Sequence, residues 1–166
     1  VARRARGFGM RVLAVDTHAD EQQAAELGVI ITDAKTLLRE SDVISNHMNL
    51  TAENWHFFDD AGFAAMEKHP IFLNVSRGGS VDEAALVRAL DNGLIRAAGL
   101  DVLEAEKPDL EKCALIGREN VILTPHAAFY SARSIEALQR MSCHNLTDCL
   151  TGNRAHAFKI VNGVSI

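Results

Sequence analysis

The sequence predicts an α/β fold, a doubly wound parallel sheet with helices on both faces. Short apolar runs alternate with helical stretches along the chain, which is the pattern of repeated βαβ units. The run Ile71-Phe72-Leu73 carries β-branched and aromatic residues without polar alternation, as a buried strand does. The apolar runs also end in polar residues: Asp16, His47, Arg77, Asp101 and His126. A parallel sheet collects such ends on one edge, the edge at which open α/β sheets bind their ligands.

Composition narrows the class. The chain has 166 residues, 48% hydrophobic and 23% charged, enough for one globular domain with a real core. A formal net charge of -5 argues against a nucleic-acid partner. The one basic cluster, Arg3, Arg4, Arg6 and Arg11, reads as charge complementing the end of a short helix. Cys113, Cys143 and Cys149 show no metal-like pairing and point to reduced thiols in a cytoplasmic setting. No metal site is expected, because His126 and the acidic groups lack ligand spacing. No run approaches the roughly 20 apolar residues that span a bilayer, so no membrane partner is expected.

Taken in order, Val1 to Gly7 reads as a short helix stopped by Gly7 and Gly9, and residues 10–15 as a strand closing on Asp16. A helix over 19–27 is stopped by Gly28, and Val29-Ile30-Ile31 forms the next strand. A helix over 34–39 leads to an apolar run at 42–47, and Trp55-His56-Phe57-Phe58 is expected to pack on apolar surface. After Ile71-Phe72-Leu73, Gly78 and Gly79 turn the chain sharply. Ser80 with Glu83 fits a capping box for a helix that Asn92-Gly93 ends. Residues 97–103 and 120–123 read as the last strands, and a long helix runs from Ser131 to Leu150 with a stripe of Ile135, Leu138, Met141, Leu146 and Cys149. The chain opens on Val1 inside a helical stretch, with no methionine and no preceding strand, and is read as a fragment.

These residue types suggest a chemistry. A carboxylate beside a histidine fixes its tautomer and stabilises the imidazolium, and His126 with Glu106 meets that requirement if the loops bring them together. Arg77 is either a surface arginine in a turn or a clamp for a carboxylate or phosphate. Asp16 is either a plain turn residue or an acceptor for ribose hydroxyls that repels a 2′-phosphate and so favours NAD. His47 reads as structural, because nothing nearby would tune it, and His56 and His69 carry no chemical signal. Nucleophilic catalysis is weaker: no serine has a G-x-S-x-G context and no cysteine lies near a His–Asn pair. Together the candidates describe hydride transfer between a nicotinamide and a 2-oxo acid.

The motif Asn74-Val75-Ser76-Arg77-Gly78-Gly79, then Val81-Asp82-Glu83-Ala84-Ala85-Leu86, Gly99-Leu100-Asp101-Val102 with Glu104 and Glu106, and Leu123-Thr124-Pro125-His126 resembles the D-isomer-specific 2-hydroxyacid dehydrogenases. The stretch from Thr124 to Ser131 is more similar to the branch that contains C-terminal-binding proteins. The resemblance implies a Rossmann-type sheet, with Arg77 binding the substrate carboxylate, Glu106 supporting the histidine and His126 donating the proton. It implies NAD contacts from Asp16, Met48, Asn49, Asn54, Val75, Ser76, Asp101, Ala127, Ala128 and Phe129, besides Arg77 and His126. Lys107 stands where the family usually has proline, and His69-Pro70-Ile71 replaces a more usual Lys-Pro-Gly.

The resemblance also implies what lies outside this stretch. Relatives have a first strand and a G-x-G-x-x-G turn before the helix with which this chain begins, and that turn holds the coenzyme pyrophosphate. Residues 1–151 are expected to be a partial NAD-binding domain, and 152–166 a tail returning toward an absent substrate domain. The stretch alone is expected to be inactive; the complete protein is expected to be a homodimer acting on small 2-hydroxy or 2-oxo acids. The alternative is an NAD(H)-responsive protein-binding module.

Overall fold

The fold is known from a computed structural model that describes residues 1–153; most of the expected tail, 154–166, lies outside the described residues. The chain divides into two units, Val1–His126 and Ala127–Ile166. In the first, helix α1 (Ala2–Gly7) leads to strand β1 (Val12–Ala14), α2 (Glu21–Glu26), β2 (Val29–Ile31), α3 (Ala34–Glu40) and β3 (Val43–Asn46). Next come α4 (Asp60–Ala64), β4 (Ile71–Asn74), a 3-10 turn (Gly78–Ser80), α5 (Glu83–Asp91), β5 (Ala97–Leu100) and β6 (Val121–Leu123).

Aspartates start the helices. Asp20, Asp33, Asp59 and Asp82 each accept a backbone N–H of the first turn of α2, α3, α4 and α5, satisfying donors that a helix start leaves open. The bonds from Thr36 backbone and hydroxyl hold the Asp33 carboxyl below its usual pKa. The expected Ser80–Glu83 capping box is therefore corrected: Asp82 caps α5, while Ser80 is fully buried and Glu83 reaches across to the Glu104 N–H. Ser80 could not cap because its hydroxyl is engaged by the Arg77 carbonyl and Asn46.

Among the described residues all the strands are parallel, in two sheets: β1-β2, and β3-β4-β5-β6. Several strands are shorter than their apolar runs. In β5 the ladder stops at Leu100 because its partner β4 stops at Asn74, and the Asp101 N–H makes the last bond to the Asn74 carbonyl at 2.9 Å.

The register aligns Ile44, Phe72, Ala98 and Val121 across one face, followed on that face by Asn46, Asn74, Leu100 and Leu123. Ile44, Phe72 and Ala98 are buried, in a core with Phe58, Phe63, Met66 and the i, i+4 stripe Ala85, Leu86, Ala89 and Leu90 of α5. Phe72 packs edge-on against Phe58 and Phe63 at centroid distances of 4.8 and 5.4 Å. On the other face Val43 and Ile122 are exposed.

The expectation for Trp55-His56-Phe57-Phe58 needs correction. The segment runs beside the Gly79–Asp82 backbone, with Phe58 bridged to Val81, but Trp55 and His56 lie in a turn, where His56 takes φ 51 and stacks its ring on Trp55. Phe58 enters the core, but Trp55 and Phe57 are exposed.

In the second unit, Ser131 caps α6 (Ala132–Leu150) through a capping box with Ser134. The stripe anticipated on this helix is only partly covered: Ile135 and Cys149 are half-buried, Leu138, Met141 and Leu146 exposed. Among the described residues no helix is long and apolar enough to cross a membrane.

Phe72 is fully buried at the centre of the aromatic cluster. Phe72→Ala is expected to cost about 3–5 kcal/mol, read as a lower urea midpoint with an unchanged slope.

Candidate active site

The parallel register puts Asn46, Asn74, Leu100 and Leu123 in one row, so whatever follows them emerges at one edge. After β4, Val75 and Ser76 lead to Arg77, whose backbone is extended at φ -138, and the chain then tightens into the 3-10 turn. Three buried polar side chains hold this corner. Asn46 Nδ2 donates to Asn74 Oδ1 at 3.1 Å and to Ser80 Oγ at 2.7 Å. Asn74 Nδ2 and Ser80 Oγ both donate to the Arg77 carbonyl, at 3.1 and 2.7 Å, and Asn74 Oδ1 accepts the Ser76 N–H at 3.1 Å. With the Arg77 backbone so held, its guanidinium stays exposed, with one N–H on the Ser76 carbonyl at 2.9 Å.

The loop after β5 lies directly against this corner. A Cβ on Gly78 would overlap the Leu103 carbonyl, and one on Gly79 would overlap the Trp55 ring, so only glycine permits the approach. Asp101 is buried and accepts the Thr124 hydroxyl on its carboxylate. Its backbone carbonyl accepts the His126 N–H at 2.8 Å. His126 itself sits at φ 52, in the left-handed region, so the chain turns sharply where the imidazole leaves it.

These elements enclose a cleft of about 650 Å³ lined by Arg77, Asp101, Glu104, Glu106, Thr124 and His126, with Leu103 and Leu115 among its apolar walls. The cleft thus brings together all three residues expected to do chemistry, Arg77, Glu106 and His126, and one expected coenzyme contact, Asp101. A cation, an imidazole and carboxylates facing one partly apolar space can orient a small anion and exchange a proton with it.

The other expected coenzyme residues of this unit do not line the cleft. Asp16 follows β1, in the two-stranded sheet, and accepts the His18 N–H at 2.8 Å. Met48 and Ser76 are tied together by the Ser76 hydroxyl on the Met48 carbonyl, while Val75 is exposed beside them. The Asn54 amide closes its own loop, accepting the Thr51 N–H at 2.8 Å and donating to the Asn49 carbonyl at 2.7 Å. Ala127, Ala128 and Phe129 belong to the second unit. His47, exposed after β3, has its pKa lowered chiefly by partial desolvation, and its ring bonds the Ser45 hydroxyl at 2.9 Å.

Asn46, Ser80 and Thr124 carry much of this geometry and were not among the sequence candidates. A signal existed for Asn46, a polar residue ending an apolar run as Asn74 does. For Ser80 and Thr124 the partners lie 34 and 23 residues away in the chain, beyond any local pattern.

A parallel α/β sheet with this cleft at its carboxyl edge defines a Rossmann-type domain. The chain belongs to the D-isomer specific 2-hydroxyacid dehydrogenase family, whose NAD binding domain matches residues 1–128. A glyoxylate reductase from Korarchaeum cryptofilum is 43% identical over 146 residues, covering 88% of this chain and 44% of that protein. The D-lactate dehydrogenase of Escherichia coli is 36% identical over 159 residues, covering 89% of this chain and 48% of that protein. A crystal structure of D-lactate dehydrogenase from Aquifex aeolicus, complexed with NAD and lactic acid, superposes with a TM-score of 0.89 at 32% identity, over 99% of this chain and 54% of that one. The chain therefore spans about half the length of these relatives.

Gly78 is the position where the two loops touch. Gly78→Ala is expected to destabilise the fold by about 3 kcal/mol, the upper end for overpacking; a thermal melt of the variant matching that of the parent would refute the close approach.

Proposed function

We propose that the protein containing this chain transfers a hydride between NAD(H) and a D-2-hydroxy acid or its 2-oxo acid. The observation that carries the reading is the convergence of Arg77, Glu106 and His126 on one cleft. Membership of the family supports it.

In this reading the Arg77 guanidinium receives the substrate carboxylate through paired N–H donors and polarises the adjacent carbonyl. His126, as imidazolium, gives its proton to the carbonyl oxygen as that oxygen becomes a hydroxyl, and in the reverse direction takes it back. Glu106 stabilises the charged imidazole and sets which nitrogen faces the substrate. Leu103 and Leu115 give the cleft an apolar wall.

Asp16, exposed at the end of β1, fits NAD by the chemistry of its donor set: a carboxylate accepts from two ribose hydroxyls and repels a 2′-phosphate. Met48, Asn49, Asn54, Val75, Ser76 and Asp101 are assigned to hold the rest of the coenzyme. Bound NADH would supply the hydride. A homodimer in a reducing, cytoplasmic compartment completes the reading; Cys113, Cys143 and Cys149 are all free thiols, as such a compartment keeps them.

The test follows NADH oxidation by the complete protein against a panel of small 2-oxo acids. His126→Ala is expected to lower kcat by at least roughly 100-fold while NADH affinity stays within a few-fold. Equal turnover in variant and parent would remove His126 from the chemistry. Firm NADH binding with no turnover on any acid would favour a coenzyme-responsive binding module instead.

A further inference from the structure

His56 is absent from the chemistry above, yet its surroundings are unusual. It lies at φ 51, in the left-handed region, and its ring stacks on Trp55 at a centroid distance of 4.8 Å. Its Nε2 is buried and 3.2 Å from Glu104 Oε1, without the alignment of a hydrogen bond. A buried polar nitrogen that close to a carboxylate is held there by its surroundings, and such groups call for a reason. Its own backbone N–H donates to the Gly79 carbonyl at 2.9 Å, so His56 is fixed to the turn that carries Arg77.

Glu104 is the other half of the arrangement. It lines the cleft two residues before Glu106, in a segment with no helix or strand of its own. Its backbone N–H donates to the Glu83 carboxylate at the start of α5, and the preceding Leu103 carbonyl rests on Gly78. The backbone of the loop thus meets the Arg77 turn at one point, and the His56 ring, on a segment bonded to that turn, lies against the Glu104 carboxylate. Glu106 lies two residues further along the same loop.

We infer that His56 is a positioning residue: through Glu104 it clamps the loop that carries Glu106 against the Arg77 turn, and so sets the distance between the substrate clamp and the acid/base pair. The inference rests on the dehydrogenase reading for the role of Glu106, but the clamp itself is testable without turnover.

Two substitutions separate the clamp from mere backbone tolerance. Asparagine adopts the left-handed region readily but is too short to reach Glu104. Glutamine is less suited to that backbone but keeps a donor near the position of Nε2. If His56 serves only the turn, His56→Asn is the milder change; if it acts through Glu104, His56→Gln is the milder one.

Amide hydrogen exchange over residues 102–106 of the complete protein is the first readout. His56→Asn is expected to speed exchange there roughly tenfold, with His56→Gln close to the parent. In the same proteins kcat should fall roughly tenfold for His56→Asn and recover in His56→Gln, with KM for the 2-oxo acid within twofold because Arg77 is untouched. The reverse order of the two variants in exchange, or equal exchange in both, overturns the clamp. Faster exchange with kcat unchanged overturns the positioning role. A parent without turnover on any 2-oxo acid counts against the dehydrogenase reading alone, and the exchange order still decides the clamp.

Discussion

The arrangement at the cleft depends on one small set of hydrogen bonds, those of Asn46, Asn74 and Ser80 around the Arg77 carbonyl. All three side chains are buried, at 3%, 1% and 0% exposure, where an unpaired amide or hydroxyl is costly. They avoid that cost by satisfying one another and the backbone of the turn at Arg77. The turn cannot relax without exposing or orphaning several polar groups together. That cooperativity is what makes a corner with two adjacent glycines rigid enough to present an arginine.

From that corner the rest of the cleft is assembled by contact. The flat faces of Gly78 and Gly79 let the Leu103 carbonyl and the Trp55 ring come close, and any side chain at either position would push them away. The in-register parallel sheet places Asp101 beside Asn74, and Asp101 in turn receives both the Thr124 hydroxyl and the His126 N–H. Cation, carboxylates and imidazole thus come from three consecutive strand ends of one sheet. Their mutual placement is set by backbone hydrogen bonds more than by side-chain packing.

Much of this was legible in the sequence where the signal was local. Ile71-Phe72-Leu73 reads as a buried strand because nothing polar interrupts it, and Asn92-Gly93 reads as a helix stop because Gly93 must take a positive φ, found at 67. The Ser80–Glu83 box misled because the spacing fits a local rule while both side chains are taken by distant partners, Asn46 and Glu104. His56 was passed over for the same reason: its neighbours in sequence are apolar, and the carboxylate that gives it meaning comes from Glu104.

What the sequence by itself determined is the alternation of strand and helix, the parallel sheet it requires, and the set of polar residues at the strand ends. Each follows from patterns spanning a few residues, where backbone geometry and hydrophobic burial act locally. Only the tertiary structure decided which of those polar residues meet. Arg77, Glu106 and His126 share a cleft, whereas Asp16 follows a strand of the other sheet. That outcome turns on pairing order, on ladder register and on two glycines that admit a distant loop, and hydrogen bonds between residues 20 to 35 positions apart leave no mark on the local pattern.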